Sequence, residues 1–128
     1  MKKRLLLLTL LLSVTASTYA LEAEINGLWY DLVSETKEGS VIQYMDDFKY
    51  SGNIIIPDSV QYNGANYSVT SIGWSSFEGC TRLTSVKMGN GVRSIESFAF
   101  EGCTGLTSIT IPENVTSIGN SVFYQWFH

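Results

Sequence analysis

Histidine is almost missing from this 128-residue chain: its one copy, His128, is the last residue. The usual general base and a common metal ligand are therefore reduced to one terminal copy, which nearly excludes histidine-based catalysis and zinc chemistry. Charged residues make up 16%, against about 25% in an average soluble domain. There is no lysine-rich run or basic arm, so nucleic acid and anionic membrane surfaces are poor partners. No Gly-x-Ser-x-Gly elbow or Asp-x-Asp-Gly calcium loop occurs. The chain is expected to be no enzyme and to carry no metal and no cofactor. Only two cysteines and two prolines are present, whereas glycine appears 11 times and aromatics make up 12%. That composition suits a turn-rich folded chain rather than a disordered tail.

The long apolar run lies at the start. Met1-Lys2-Lys3-Arg4 precedes Leu5 to Leu12, which only Thr9 interrupts, and Thr18-Tyr19-Ala20 offers small residues for cleavage. A basic start, a short apolar stretch and a small-residue site predict an export signal over residues 1–20. The run is shorter than the roughly 20 residues of a bilayer span, so no stable membrane span is expected once the signal is removed. Removal leaves 108 residues, one domain's worth. It also takes three of the eight cations and none of the twelve acids, so the remainder carries −7. The expected destination is secreted, periplasmic or cell-surface.

Internal repetition is the main signal. The segment from Val69 to Gly91 is followed without a gap by Val92 to Asn114, and 11 of the 23 paired positions are identical. A third copy starts at Val115-Thr-Ser-Ile-Gly and stops matching at Tyr124. Half a copy, Asn53-Ile-Ile-Ile-Pro-Asp-Ser-Val60, precedes the array. A 23-residue period lies within the 20–29 window of leucine-rich repeats. Leu83-x-x-Val86-x-Met88 and Leu106-x-x-Ile109-x-Ile111 alternate as strands with one buried face. Stacked at one strand per coil, they build a parallel sheet. Thr84, Ser85, Lys87, Thr107, Ser108 and Thr110 then point outward or lie at the rim. Three further core columns follow from the period: Val69, Val92 and Val115; Ile72, Ile95 and Ile118; Phe77, Phe100 and Phe123. Phe77-Glu-Gly-Cys80 and Phe100-Glu-Gly-Cys103 read as single helical turns closed by glycine.

The residues before the array read as a cap. Leu28–Val33 and 41–44 alternate around the turn-rich stretch 34–40, which predicts a β-hairpin. Asn63-Gly64, between Val60 and Val69, predicts a second one. The expected organisation is a signal over 1–20, a β cap with the first half-coil over 21–67, repeats over 68–123, and an atypical end over 124–128.

The string V-T-S-I-G-x-x-x-F-x-G-C-x-x-L-T-S-[VI]-x-[MI] closely resembles the BspA-like leucine-rich repeats of bacterial cell-surface and secreted proteins. Tyr50 to Val69 is similar to the segment that opens such arrays, and Gly27-Leu-Trp-Tyr-Asp-Leu32 to the strand before it. The resemblance covers residues 25–123. It implies a β-rich solenoid: a short leucine-rich-repeat array of 23-residue coils with parallel strands, preceded by an N-terminal β-hairpin cap. The family's members are described mainly as adhesion or host-interaction proteins. The asparagine ladder of plant-type repeats is absent.

Few residues invite chemistry. Cys80 and Cys103, one period apart, form either a ladder of buried thiols or a disulfide between coils. Glu78 and Glu101 recur in register beside Glu96, but no partner residue gives them a catalytic or calcium-binding role. Trp29, Tyr30, Tyr44, Tyr50, Tyr62, Tyr67 and Trp74 concentrate in the N-terminal half and are expected to seal the cap. Trp74 stands where the other copies have Ser97 and Asn120, so the repeat does not require it. The best-supported function is a non-catalytic binding module for a protein or glycan, acting through Thr84, Lys87, Thr107 and Thr110, with Trp74. The alternative is a fragmentary repeat protein with no function of its own. The hydrophobic end Tyr124-Gln-Trp-Phe-His128 leaves self-association open.

Overall fold

The structure is a computed structural model and describes residues 20–45 and 47–126. The export signal, apart from Ala20, lies outside the described residues, as does His128. Those residues form strands and turns without a helix, so none of their helices is long and apolar enough to cross a membrane.

Strands β1 (Ala20–Ile25), β2 (Leu28–Val33) and β3 (Glu38–Ile42) form an antiparallel meander. The expected hairpin is thus extended by a strand. Asn26 and Gly27 both have positive φ, 52° and 90°. That is what a two-residue turn between right-twisted strands demands. The second expected strand, 41–44, is corrected to Glu38–Ile42. Lys37, in a left-handed conformation, donates its N–H to the Val33 carbonyl at 2.9 Å and closes the turn early.

Seven strands follow: β4 (Gly52–Ile56), β5 (Ser59–Tyr62), β6 (Ala65–Ile72), β7 (Leu83–Met88), β8 (Ser94–Ile95), β9 (Ser108–Thr110) and β10 (Ser117–Ile118). β5 and β6 are the hairpin across Asn63-Gly64. The strands build two sheets. One runs β1-β2-β3-β6-β8-β10, with β5 also on β6; the other runs β4-β7-β9. From β3 onward the first sheet is parallel apart from the β5–β6 hairpin, and it pairs Ser71 with Ser94 and Ser94 with Ser117. The second pairs Ile54 with Val86 and Val86 with Ile109. One strand per repeat is therefore corrected to two. The Val-Thr-Ser-Ile segments form the second strand, because their backbone groups find partners one repeat away and, for the first segment, also in β3.

The turn segments are also joined across repeats. Ser75, Phe77 and Gly79 donate their N–H groups to the carbonyls of Ser97, Ala99 and Glu101. Phe98, Phe100 and Gly102 do the same to Asn120, Val122 and Tyr124. Within each segment, short bonds such as Glu78 N–H to the Ser75 carbonyl, 3.1 Å, close successive turns. Gly79 and Gly102 adopt φ of +72° and +74°, where a side chain would be strained.

The interior between the sheets is made of columns. Val69, Ile72, Phe77, Cys80, Leu83, Val86, Met88, Val92, Ile95, Phe100, Cys103 and Leu106 are all buried. The rings of Phe77 and Phe100 stack at 5.0 Å, and those of Phe100 and Phe123 at 6.0 Å. Ile109, Val115 and Phe123 are partly buried against this core. Ile111 and Ile118, expected in it, are 37% and 52% exposed. Ile118 pairs with Ile95 on one side, and among the described residues nothing pairs on its other side. Ile111 lies one residue beyond β9, so the chain no longer holds it against the sheet.

Ser76 interrupts the column it shares with Ala99 and Val122. It is 1% exposed, and its hydroxyl has no hydrogen-bond partner among the described residues. Ser76→Ala is expected to stabilise the fold by about 1 kcal/mol by removing an unsatisfied buried hydroxyl. Thermal unfolding reads the gain; an unchanged or lowered midpoint would show that the hydroxyl is satisfied.

Candidate binding site

Two solvent-facing surfaces come from the two sheets. On the three-stranded sheet, alternation turns Leu83, Val86 and Met88 inward and leaves Thr84 and Lys87 exposed. Ile55, Lys87 and Thr110 are cross-strand neighbours in one row, and Ile55 is 71% exposed. Thr84 and Ser85 donate their hydroxyls to the Asn53 side-chain oxygen, both at 2.8 Å. The Thr107 hydroxyl donates to the Thr84 carbonyl at 3.1 Å. The threonines are thus oriented by bonds along the sheet. Below them Lys87, Ile55, Asp58 and Asn90 line a shallow cavity of about 310 Å³.

Trp74 belongs to the other surface. It follows β6 in the seven-stranded sheet and lines a different cavity from Lys87. Register places one polar row across that sheet: Glu22, Asp31, Ser40, Ser71, Ser94 and Ser117. The Ser40 and Ser71 hydroxyls lie 2.5 Å apart. The acidic end of the row opens into a groove of about 350 Å³ lined by Glu22, Asp31, Glu96 and Trp74. Partial burial, with the neighbouring Glu22 carboxylate, raises the Asp31 carboxyl above its ordinary range. Trp74 is 66% exposed and meets the Phe98 ring edge-to-face at 6.1 Å. Sequence reasoning singled out Trp74 and Glu96 but missed their company. The missed signal is Asn26-Gly27: a two-residue turn there places Glu22 opposite Asp31.

The remaining aromatics seal the first repeat. Tyr30, Tyr50 and Tyr67 are buried. The Tyr50 hydroxyl accepts from the Trp29 N–H at 3.0 Å and donates to the Ile42 carbonyl at 2.8 Å. Its ring packs on Phe77 at 4.9 Å. Trp29 and Tyr44 stack at 3.7 Å, partly open to solvent. Cys80 and Cys103 are buried free thiols, and the Cys103 Sγ lies 3.0 Å from the Phe77 carbonyl oxygen, to which it donates. Burial, with Cys80 beside it, pushes the Cys103 thiol up to about 12. These thiols are poor nucleophiles. Glu78 and Glu101 are half-exposed, and among the described residues no group of three or more ligating side chains is placed to hold a metal ion.

Solved structures share this fold. A leucine-rich repeat protein from Bacteroides ovatus ATCC 8483 superposes with a TM-score of 0.70 at 30% identity, covering 82% of this chain and 27% of its own. One from Bacteroides capillosus ATCC 29799 gives 0.67 at 27% identity, covering 77% and 71%. A leucine-rich cell surface protein from Faecalibacterium prausnitzii A2-165 gives 0.69 at 28% identity, covering 86% and 29%. The chain thus spans less than a third of the Bacteroides ovatus and Faecalibacterium proteins. Among curated proteins, none matches at a significant level. The model of the BspA type leucine-rich repeat region matches residues 48–127 in six copies, so the chain belongs to that family.

Proposed function

We propose that the chain is exported by a signal over residues 1–20 and acts as a non-catalytic binding module, secreted or at the cell surface. In this reading residues 21–67 are the cap and first half-coil, 68–123 a solenoid of 23-residue coils, and 124–128 an atypical end. The contact surface is the exposed face of the three-stranded sheet, with Thr84, Lys87, Thr107 and Thr110 meeting a protein partner. The observation that carries this is the Ile55–Lys87–Thr110 row: exposed, regular and free of any role in the core. Family membership and the surface description of the Faecalibacterium relative support the location.

The test is immobilised binding to a panel of host matrix proteins and glycans, repeated with Lys87→Glu and Thr110→Arg. Both substitutions are on the surface and are expected to change stability by no more than about 0.5 kcal/mol. Binding to a panel protein that falls at least about tenfold in these variants is expected, as for a contact worth 1.4 kcal/mol. Uniform absence of binding by a folded sample, or binding indifferent to both substitutions, contradicts the assignment.

A further inference from the structure

The groove on the seven-stranded sheet has a chemistry that the fold does not require. Its charged lining residues, Glu22, Asp31 and Glu96, are all carboxylates. Glu22 and Asp31 are direct cross-strand partners, an arrangement that destabilises a sheet when both are charged. Of the four repeat residues in the groove, Ser71 and Gly73 recur in other copies, whereas Trp74 and Glu96 depart from the repeat. Glu96 stands where the flanking copies have Gly73 and Gly119, and Trp74 stands where they have Ser97 and Asn120. The stacked columns therefore need neither. Trp74 nevertheless exposes two thirds of its surface beside the carboxylates, braced by Phe98.

An aromatic ring next to uncompensated carboxylates is complementary to a cation. A guanidinium or ammonium group gains from the ring face and from paired carboxylate oxygens together. A guanidinium, planar and weakly hydrated, suits both contacts best. We propose that this groove receives an arginine or lysine side chain presented by a basic segment of a partner protein. Trp74 stacks on the cationic group, and Glu22, Asp31 and Glu96 neutralise it. The proposal deepens the binding-module reading and rests on it, but it places a contact on the sheet opposite in sequence role to Lys87 and Thr110.

The probe is an eight-residue peptide alternating arginine and glycine, titrated calorimetrically into the protein. A peptide with citrulline for arginine and a neutral oligosaccharide are run alongside. The arginine peptide is expected to bind, more weakly as salt rises, and the citrulline peptide and the oligosaccharide are expected not to. Trp74→Ser, which installs the residue found at position 97, and Glu96→Gln should each weaken binding by about tenfold. Lys87→Glu should leave it unchanged. Equal binding of the citrulline peptide, preference for the oligosaccharide, no binding of the arginine peptide, or indifference to Trp74→Ser and Glu96→Gln each overturn the proposal. Loss of binding on Lys87→Glu alone also overturns it, while favouring the three-stranded face. Each variant's unfolding midpoint confirms that the protein tested is folded.

Discussion

Phe100→Ala is expected to cost about 3–5 kcal/mol, a third or more of a typical domain's stability. Phe100 is fully buried and lies between two parallel rings, Phe77 at 5.0 Å and Phe123 at 6.0 Å. Its backbone also donates to Val122, in the ladder that joins the turn segments. Truncation leaves a void that neighbours in adjacent repeats are poorly placed to fill. It also breaks the ring stack at its middle. Phe123 makes the comparison, because it is only partly buried at the end of the same stack. Phe123→Ala should cost less than half as much. Urea unfolding followed by circular dichroism reads both, and equal costs would mean that the column does not act as one packed unit.

Raising the pH from 9 to 12 is the second perturbation with a large effect. Burial lifts the Cys103 thiol from 9.0 to about 12, with Cys80 adding to the rise. Burial also lifts the Tyr50 hydroxyl from 10.0 to about 12, against a hydrogen bond from Trp29 that lowers it. Tyr30 is raised as well, by burial first and Tyr50 second. In each case the folded state keeps its proton at a pH where the unfolded chain has lost it. The stability contributed by the neutral groups is therefore complete below pH 9. It falls by roughly 1.4 kcal/mol per pH unit for each group past its ordinary value, until the folded groups ionise. Urea midpoints at pH 8, 9, 10 and 11 should drop progressively, with little change between 8 and 9. Cys103→Ala should reduce the decline that begins near pH 9 without abolishing it, because burial raises the Cys80 thiol as well. A flat profile to pH 11 would mean that these groups are not held neutral by the fold.

The columns were legible because their information is periodic. Phe77, Phe100 and Phe123, or Ile72 and Ile95, announce themselves by recurring at one spacing, whatever their local conformation. The strands of Val86 and Ile109 were legible through alternation, and the Asn63-Gly64 hairpin through turn chemistry. The two-residue strands at Ser94–Ile95 and Ser117–Ile118 are too short for either signal. They exist because of what lies one repeat away. β1 was hidden in part because its first residues sit against an apparent cleavage site, and in part because only Ala23 among its six residues is buried. The exposure of Ile111 and Ile118 is likewise invisible in the period, which marks positions as equivalent without saying what is stacked on them. The groove was half legible: Trp74 and Glu96 break the repeat visibly, whereas Glu22 and Asp31 join them only through the meander.

The turn segments carry one further consequence. Every bond of that ladder joins residues 22 apart, and the strand pairings β6–β8, β8–β10 and β7–β9 join residues 23 apart. The loop that must close to form each of these rungs therefore has nearly the same length, and only the first interval, from β4 to β7, is longer. Its entropic cost depends on that length and not on how many repeats already stand. Growth of such a chain is additive, as in a one-dimensional lattice. Duplication or loss of one whole period keeps every ring, thiol and valine facing its own kind. An insertion within a strand or turn segment breaks the rungs of its own repeat, whereas extra residues looped out between strands, as in the hairpin that separates Ile54 from its partner Val86, leave the columns aligned.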